Sequence, residues 1–385
     1  MRLNLLFALS LCGFGSNIAM RLADPLVPQI AADFSVAIPT VAMLATAYAL
    51  PYSLFQPVLG PVGDSYGKGL LIRASLICLS VGLLVSAFAP NFPTLMTARA
   101  LSGIAAGGII PAAIAMIGDR MPMEGRQVAI ARMLSMIFIA QIVGATGAGA
   151  LSPIVGWRGV FVIAAGMTML VAIVTFGTFS PRPDAVRQPL SLARARAGYA
   201  SVFSHPLAIP LFVLVFLEGL AGFATHPFVA AILAEREGVG AFEAGLVIGA
   251  FGLGALLYSL VAGRIVRGLG PSRMMLFGGS TAGLSLAAFA VSPSWMIDVG
   301  LFGIFGFGFF MMHNPMQAIA TELSPTARGS AVALFALAIF LGQALGPIAF
   351  GFGSAFFGTV PMILAEAAGL VAVALLARRY LSPRE

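Results

Sequence analysis

Few side chains in this sequence can do chemistry, and those that can are isolated in apolar surroundings. Glu218 stands between Phe216-Leu217 and Gly219-Leu220, and Glu366 lies in another apolar run. A carboxyl group in hydrocarbon is cheaper protonated than ionised, so such a group can load and release a proton. Proton transfer is the chemistry Glu218 suits best, with His226 and Glu366 as further candidates. Glu366 also has a plainer reading, an acid hydrogen-bonded to an adjacent helix. His226 follows Glu218 by eight residues, about 12 Å along a helix and about 80° around it. The two are not one cluster, but both could border one cavity. His313-Asn314, just before Pro315, adds a polar pair. Arg21 and Asp24 are three residues apart and can pair on a helix face, at a helix end or as a contact for a bound molecule. Arg21, Asp24, His313, Asn314 and Phe223 are the candidates for lining a cavity. Phe216, Phe228, Phe302, Phe305 and Phe307 are further aromatic candidates.

The motifs of soluble catalysis are missing. There is no G-x-x-x-x-G-K-[ST] phosphate loop and no H-E-x-x-H, and the three histidines are dispersed. No enzyme activity, metal or cofactor is expected. Cys12 and Cys78 both sit in apolar runs and read as packing residues rather than a disulfide.

The elements that hold these groups follow from composition. Of 385 residues, 59% are hydrophobic and 9% charged, against about 25% charged in a soluble domain. So few charges cannot solvate a surface of this size, so the solvent for most of it is lipid. A spanning helix needs about 20 apolar residues. Hydropathy predicts twelve: 4–23, 40–61, 70–89, 93–117, 128–151, 159–179, 207–232, 243–263, 274–292, 296–319, 329–350 and 356–377. The segment from Leu5 to Met20 reads as the first span, not a cleavable leader. Interior Gly103, Gly107, Gly108 and Pro111 are tolerated in lipid, where neighbouring helices satisfy freed backbone groups.

The basic residues are Arg throughout except Lys68, scattered singly, which suits an anionic membrane surface and not nucleic acid. With the N-terminus inside, 17 basic residues face the cytoplasm, three (Arg21, Arg158, Arg236) face out and Arg99 lies within a span. That bias predicts cytoplasmic termini. The expected organisation is a half over 1–180, a cytoplasmic linker at 181–206, a second half over 207–377 and a tail at 378–385. The halves repeat. Gly60 and Gly67 recur as Gly263 and Gly270, 203 residues on, Arg126 recurs as Arg328, and Gly144 and Gly149 recur as Gly346 and Gly351, the last three at 202. Matches in register point to internal duplication, which builds one large transporter fold with its site near the midplane between the halves.

At this point the residues resemble a known family. Gly60-x-x-x-Asp64-x-x-Gly67-Lys68 after the second span is similar to the G-x-x-x-D-x-x-G-[RK] loop of the major facilitator superfamily. Arg99-x-x-x-Gly103 and Trp157-Arg158-x-x-Phe161 are similar to its fourth- and sixth-span motifs. The resemblance implies an all-α fold of twelve helices in two pseudo-symmetric six-helix halves, working by alternating access, and monomeric. It implies a gating role for Gly60, Asp64, Gly67 and Lys68, with Asp64 latching the outward-open state and Lys68 facing the anionic leaflet. Within the drug–proton antiporter group it implies that Arg99 takes part in proton transfer; otherwise Arg99 snorkels to the outer interface. The group's fifth-span G-P pair is absent at Gly144-Ala145 and present at Gly346-Pro347. Arg126, Gly144, Gly346 and Pro347 join the expected gating set. The implied task is proton-coupled efflux of small hydrophobic compounds across a bacterial inner membrane. Transport of a sugar, organic acid or other anion is the alternative, which Arg99, Arg21 and His226 would suit.

Overall fold

The computed structural model describes residues 4–121, 123–179 and 192–381, with the side chains of Gly60 and Asp64 among those outside that set. The Pro- and Arg-rich stretch from Ser180, the expected latch carboxylate of Asp64 and the last residues of the tail therefore lie outside the described residues. Among the described residues, ten helices are long and apolar enough to cross a membrane. Two are double. Met123–Thr175 and Ala241–Ala290 run to 53 and 50 residues, which at 1.5 Å per residue would be more than twice a bilayer's hydrocarbon thickness. Each is broken once by a glycine with positive φ, Gly156 (φ 69°) and Gly270 (φ 72°). These are sharp reversals between two spans, and the count of spans is twelve.

The spans are Leu5–Phe34, Ile38–Tyr66, Lys68–Ala87, Phe92–Arg120, the two parts of Met123–Thr175, Ala208–Glu237, the two parts of Ala241–Ala290, Trp295–Glu322, Arg328–Phe357 and Thr359–Leu381. Leu192–Phe203 forms a separate short helix in the linker. The first span corrects the expected end at residue 23. The chain passes through one 3-10 turn, Asp24–Leu26, and continues helical to Phe34. Pro25 removes a donor and forces the kink, and buried neighbours hold the remainder in line. The seventh span does the same at His226–Phe228 and runs on to Glu237, past the expected 232.

The duplication is visible in the backbone. The two 3-10 kinks are 202 residues apart. Every positive-φ residue described has its counterpart: Ser35 with Gly238, Gly67 with Gly270, and Gly156 with Gly358. The close helix crossings repeat as well. Gly144 is seated on the Ile18 carbonyl and Gly346 on that of Leu220; Gly103 is seated on Tyr48 and Gly306 on Phe251. At each, a Cβ would strike the partner's backbone, so only glycine permits the approach. Each half has its own apolar core. The halves meet through the fifth span against the eighth and the second against the eleventh. Large apolar side chains such as Ile154, Phe356 and Phe88 point outward, as a lipid-facing surface requires.

Candidate functional site

Between the halves lies a cavity of about 1250 Å³. It opens at the end of the molecule that carries Lys68, Arg328 and the linker helix, and it ends against Asn17, Arg21 and Phe223. At the opposite end the halves are closed on one another. Thr46 Oγ1 donates to the Ala344 carbonyl at 2.6 Å, and Thr146 Oγ1 donates to the Gly245 carbonyl at 3.1 Å. Gly149 and Gly245 let the fifth and eighth spans touch backbone to backbone there. Nearer the cavity, Tyr52 meets Phe340 with ring centroids 4.5 Å apart, and Phe138 meets Phe310 at 4.8 Å.

The cavity wall is mostly apolar and aromatic, with amides set into it at Gln56, Gln141, Gln317 and Gln343. Such a wall suits a largely hydrophobic ligand oriented by a few polar groups. Sequence reasoning missed these glutamines. Their signal was available, as uncharged amides inside apolar runs, but it is weaker than that of an ionisable group.

Glu218 is fully buried, and its Oε2 lies 3.0 Å from Nδ1 of His313 on the tenth span. His313 lines the cavity and Glu218 does not. The imidazole is thus the link between the carboxyl group and the cavity. The other carboxyl oxygen, Oε1, has no protein partner. Asn314, beside His313, donates to the Tyr258 hydroxyl at 2.8 Å, and both border the cavity.

His226 is placed elsewhere than expected. It does not border the cavity; it sits in a cage of Phe223, Phe251, Phe302 and Phe305, with ring centroids 4.9 to 5.9 Å away and Nε2 unpartnered. The aromatic expectation is corrected with it. Of the six phenylalanines proposed for a ligand, Phe223 borders the cavity, while Phe302 and Phe305 belong to this cage. The phenylalanines that do line it include Phe138, Phe309, Phe310, Phe335 and Phe340. Glu366 accepts a hydrogen bond from Thr225 Oγ1 at 2.7 Å, away from the cavity. That is the plainer of its two readings.

Arg21 and Asp24 pair at 3.3 Å where the helix Leu5–Arg21 ends and the 3-10 turn begins, which is inside the span and not at its end. They are buried at the kink in the middle of the first span, and of the two only Arg21 borders the cavity. The guanidinium lies over the Phe223 ring of the other half, 4.6 Å from its centroid, with Nε unpartnered. Arg99 does not snorkel. It is fully buried, donates to the Ala19 carbonyl at 3.0 Å and lies 4.4 Å over the Tyr48 ring.

At the cavity mouth, Gly67 takes φ 105° between the second and third spans, the tight turn expected of it. Lys68 is not simply turned to the membrane surface: it pairs with Asp119 at 2.6 Å and borders the cavity. Arg126 Nε donates to the Met121 carbonyl at 2.9 Å. Pro347 is buried in the eleventh span beside Gly346. Two polar clusters went unforeseen because their members lie far apart in sequence. Asp33 accepts from Trp157 Nε1 at 3.3 Å and from Arg158 at 2.5 Å. Arg236 pairs with Glu237 at 2.9 Å and also with the buried Asp298.

Comparison with known proteins agrees with this architecture. The model of the Major Facilitator Superfamily matches residues 9–347 and, again, 211–385. The uncharacterized MFS-type transporter YwfA of Bacillus subtilis is 26% identical, over 92% of this chain and 88% of its own. The multi-drug resistance efflux pump PmrA of Streptococcus pneumoniae is 26% identical, over 90% of each. Among solved structures, a bacterial homolog to the human lysosomal transporter Spinster, inward-facing and unoccupied, superposes with a TM-score of 0.77 at 20% identity, over 99% of this chain and 98% of the other.

Proposed function

This chain belongs to the Major Facilitator Superfamily, and we propose that it exports small, largely hydrophobic compounds in exchange for protons by alternating access. It is an integral membrane transporter; the substrate class, the coupling ion and the direction are the proposal. The cavity between the halves is the substrate site. The bias of basic residues supports a cytoplasmic open end, with both termini on that side of a bacterial inner membrane, and on that reading the arrangement described faces inward. The efflux direction draws support from the likeness to PmrA.

The observation that carries the proton assignment is the contact between Glu218 and His313. A buried carboxyl group reaches the cavity through one imidazole, so a proton on Glu218 can exchange with cavity water through His313. When Glu218 is ionised, an N–H at Nδ1 of His313 donates to it. When Glu218 takes up a proton from the outward side, that attraction is lost and the tenth span is freed to repack against the seventh. Substrate against His313 competes with this protonation. Arg99 and Asp24 set the charge of the other half at the same depth. The glycines at the mouth, Gly60 and Gly67, give the backbones room to close, with Asp64, Lys68 and Arg126 acting at the hinge ends; Gly144 and Gly346, the latter beside Pro347, hold the close helix crossings within each half. One monomer suffices, since both halves of the site come from one chain.

The test is proton flux in energised inverted vesicles with a panel of lipophilic compounds, wild type against Glu218→Gln. A substrate-triggered loss of ΔpH that vanishes in the variant supports the assignment. Loss of ΔpH that persists unchanged removes Glu218 from the proton path.

A further inference from the structure

We infer that the substrate carries an anionic group, and that Arg21 at the blind end of the cavity receives it. This rests on the reading of the cavity as the substrate site and narrows its substrate class to amphipathic anions: an apolar, aromatic-sized body with one sulfonate, carboxylate or phosphate.

The first observation is the charge of the wall. Among the described residues that line the cavity there is no Asp or Glu, whereas Arg21, Lys68, Arg132 and Arg328 are all present. Lys68 is neutralised by Asp119. Arg132 and Arg328 are exposed near the open end, where they would draw anions inward. Basic residues at a cytoplasmic mouth follow from topology alone, so these two do not decide the matter.

Arg21 does. It is mid-span, 4% exposed, and no rule of membrane orientation puts a cation there. A guanidinium carries five N–H donors. Asp24 takes one at 3.3 Å, a long contact for an ion pair, and Nε is left without a partner. Nor does Asp24 cancel the charge at this depth, because the fully buried Arg99 stands close by with only the Ala19 carbonyl and the Tyr48 ring as contacts. Arg99 has no carboxylate within ion-pair distance among the described residues, so two buried guanidinium groups stand against one buried carboxylate, which leaves one positive charge formally unmatched in a low-dielectric site. A buried charge of that kind needs a partner, and a bound anion is the partner the cavity admits. The Phe223 ring under Arg21 and the amides of Asn17 and Gln343 in the same wall supply the apolar contact and further donors. Since Arg21 belongs to one half and Phe223 to the other, an anion seated there touches both. A cationic ligand, by contrast, meets no carboxylate in this wall: Glu218 stands behind His313.

The experiment uses the full chain in lipid nanodiscs and three ligands of one shape: naphthalene sulfonate, naphthyl methanol and naphthyl trimethylammonium. The sulfonate is expected to bind tightest, ten- to hundredfold over the alcohol, the range that one or two charge-assisted hydrogen bonds supply. In the double variant Arg21→Gln/Asp24→Asn, which removes the ion pair as a unit, the sulfonate-to-alcohol ratio falls to about one. Arg21→Lys keeps the charge without the planar fork and gives an intermediate ratio. A ratio is insensitive to the fraction of protein that folds. Ala336→Trp, which fills the cavity from the eleventh span, abolishes sulfonate binding. If the cation or the alcohol binds as tightly as the sulfonate and Ala336→Trp removes that binding, the anion inference is overturned while the cavity reading stands. Sulfonate binding that survives Ala336→Trp overturns the cavity reading itself. A ratio unchanged in the double variant, or failure of all three ligands to bind, overturns the inference.

Discussion

A single methyl group at Gly245 should shift the balance between the two faces of the transporter. A Cβ built there lies 2.7 Å from the Ala145 carbonyl oxygen, 3.2 Å from Gly149 Cα and 3.3 Å from Thr146 Cα. All three are backbone atoms of the fifth span, so no flexible side-chain end can give way. Overpacking of this kind costs about 1–3 kcal/mol, and parting the spans also weakens the Thr146 bond to the Gly245 carbonyl, about 1 kcal/mol more. The penalty applies only where the fifth and eighth spans touch, that is, while the end opposite the cavity is closed. In the alternative state those spans separate and the methyl is free. The two together, about 3 kcal/mol, multiply the ratio of the second state to the first by about 150. The assay is pulsed electron–electron spin resonance on Gly245→Ala. Spin labels go at Tyr66→Cys and Arg267→Cys, exposed positions at the mouth ends of the second and eighth spans, with the exposed Cys78 replaced by Ser. The short-distance population, in which the mouth has closed, should grow. Gly144→Ala is the control. Its Cβ would meet the Ile18 carbonyl at 2.5 Å, but within one half, so it should lower melting temperature without moving the distances. Unchanged distances in Gly245→Ala, or equal changes in both variants, would refute the reasoning.

Three smaller predictions follow from the polar contacts. Arg236→Gln strands the fully buried Asp298 and should destabilise the protein by about 3 kcal/mol; adding Asp298→Asn should restore most of that, read as a double-mutant cycle in thermal unfolding. Asp33→Asn breaks a contact with Arg158 that is well exposed on both sides, so its cost should stay within about 1 kcal/mol in the same assay. Glu366→Gln keeps an acceptor for the Thr225 hydroxyl, and proton stoichiometry measured by ΔpH in vesicles should match wild type, in contrast to Glu218→Gln.

What could be read from the residues, and what could not, divides along one physical line. Spans, duplication and the motif turns are local or periodic, so hydropathy and glycine spacing carry them. Depth and rotation are not local. Asp24-Pro25 reads as a terminator, yet in lipid a kink whose freed groups find partners does not end a helix, and the first span continues to Phe34. Whether a polar group faces the cavity or a cage depends on how its helix is turned against its neighbours. His313 and His226 look alike in sequence, each at an apolar stretch before or beside a proline. One meets the cavity and Glu218, the other four phenylalanines. The pairing of Glu218 with His313 joins residues 95 apart, which no spacing rule in a single sequence can supply.

The backbone is close to two-fold symmetric, and the chemistry is not. At equivalent places in the two kinks stand Asp24 and His226, and one turn earlier Arg21 and Phe223. Arg99 has Phe302 as its counterpart at the 203-residue offset seen in the Gly103 and Gly306 crossings, and Glu218 has Ser16 at the 202-residue offset of the kinks. The first half thus holds the buried cations and the second holds the aromatic cage and the buried acid Glu218. This distribution has a mechanical consequence. A ligand that touches only one half, in a way that does not alter how that half packs against the other, leaves the two rocking states equally favoured. A ligand held by Arg21 of one half and Phe223 of the other has contacts that depend on the relative position of the halves, and only such differential contacts can move the equilibrium. Duplication supplied two matching halves able to rock, and unlike substitution at matching positions supplied a reason for the bound molecule to prefer one pose over the other.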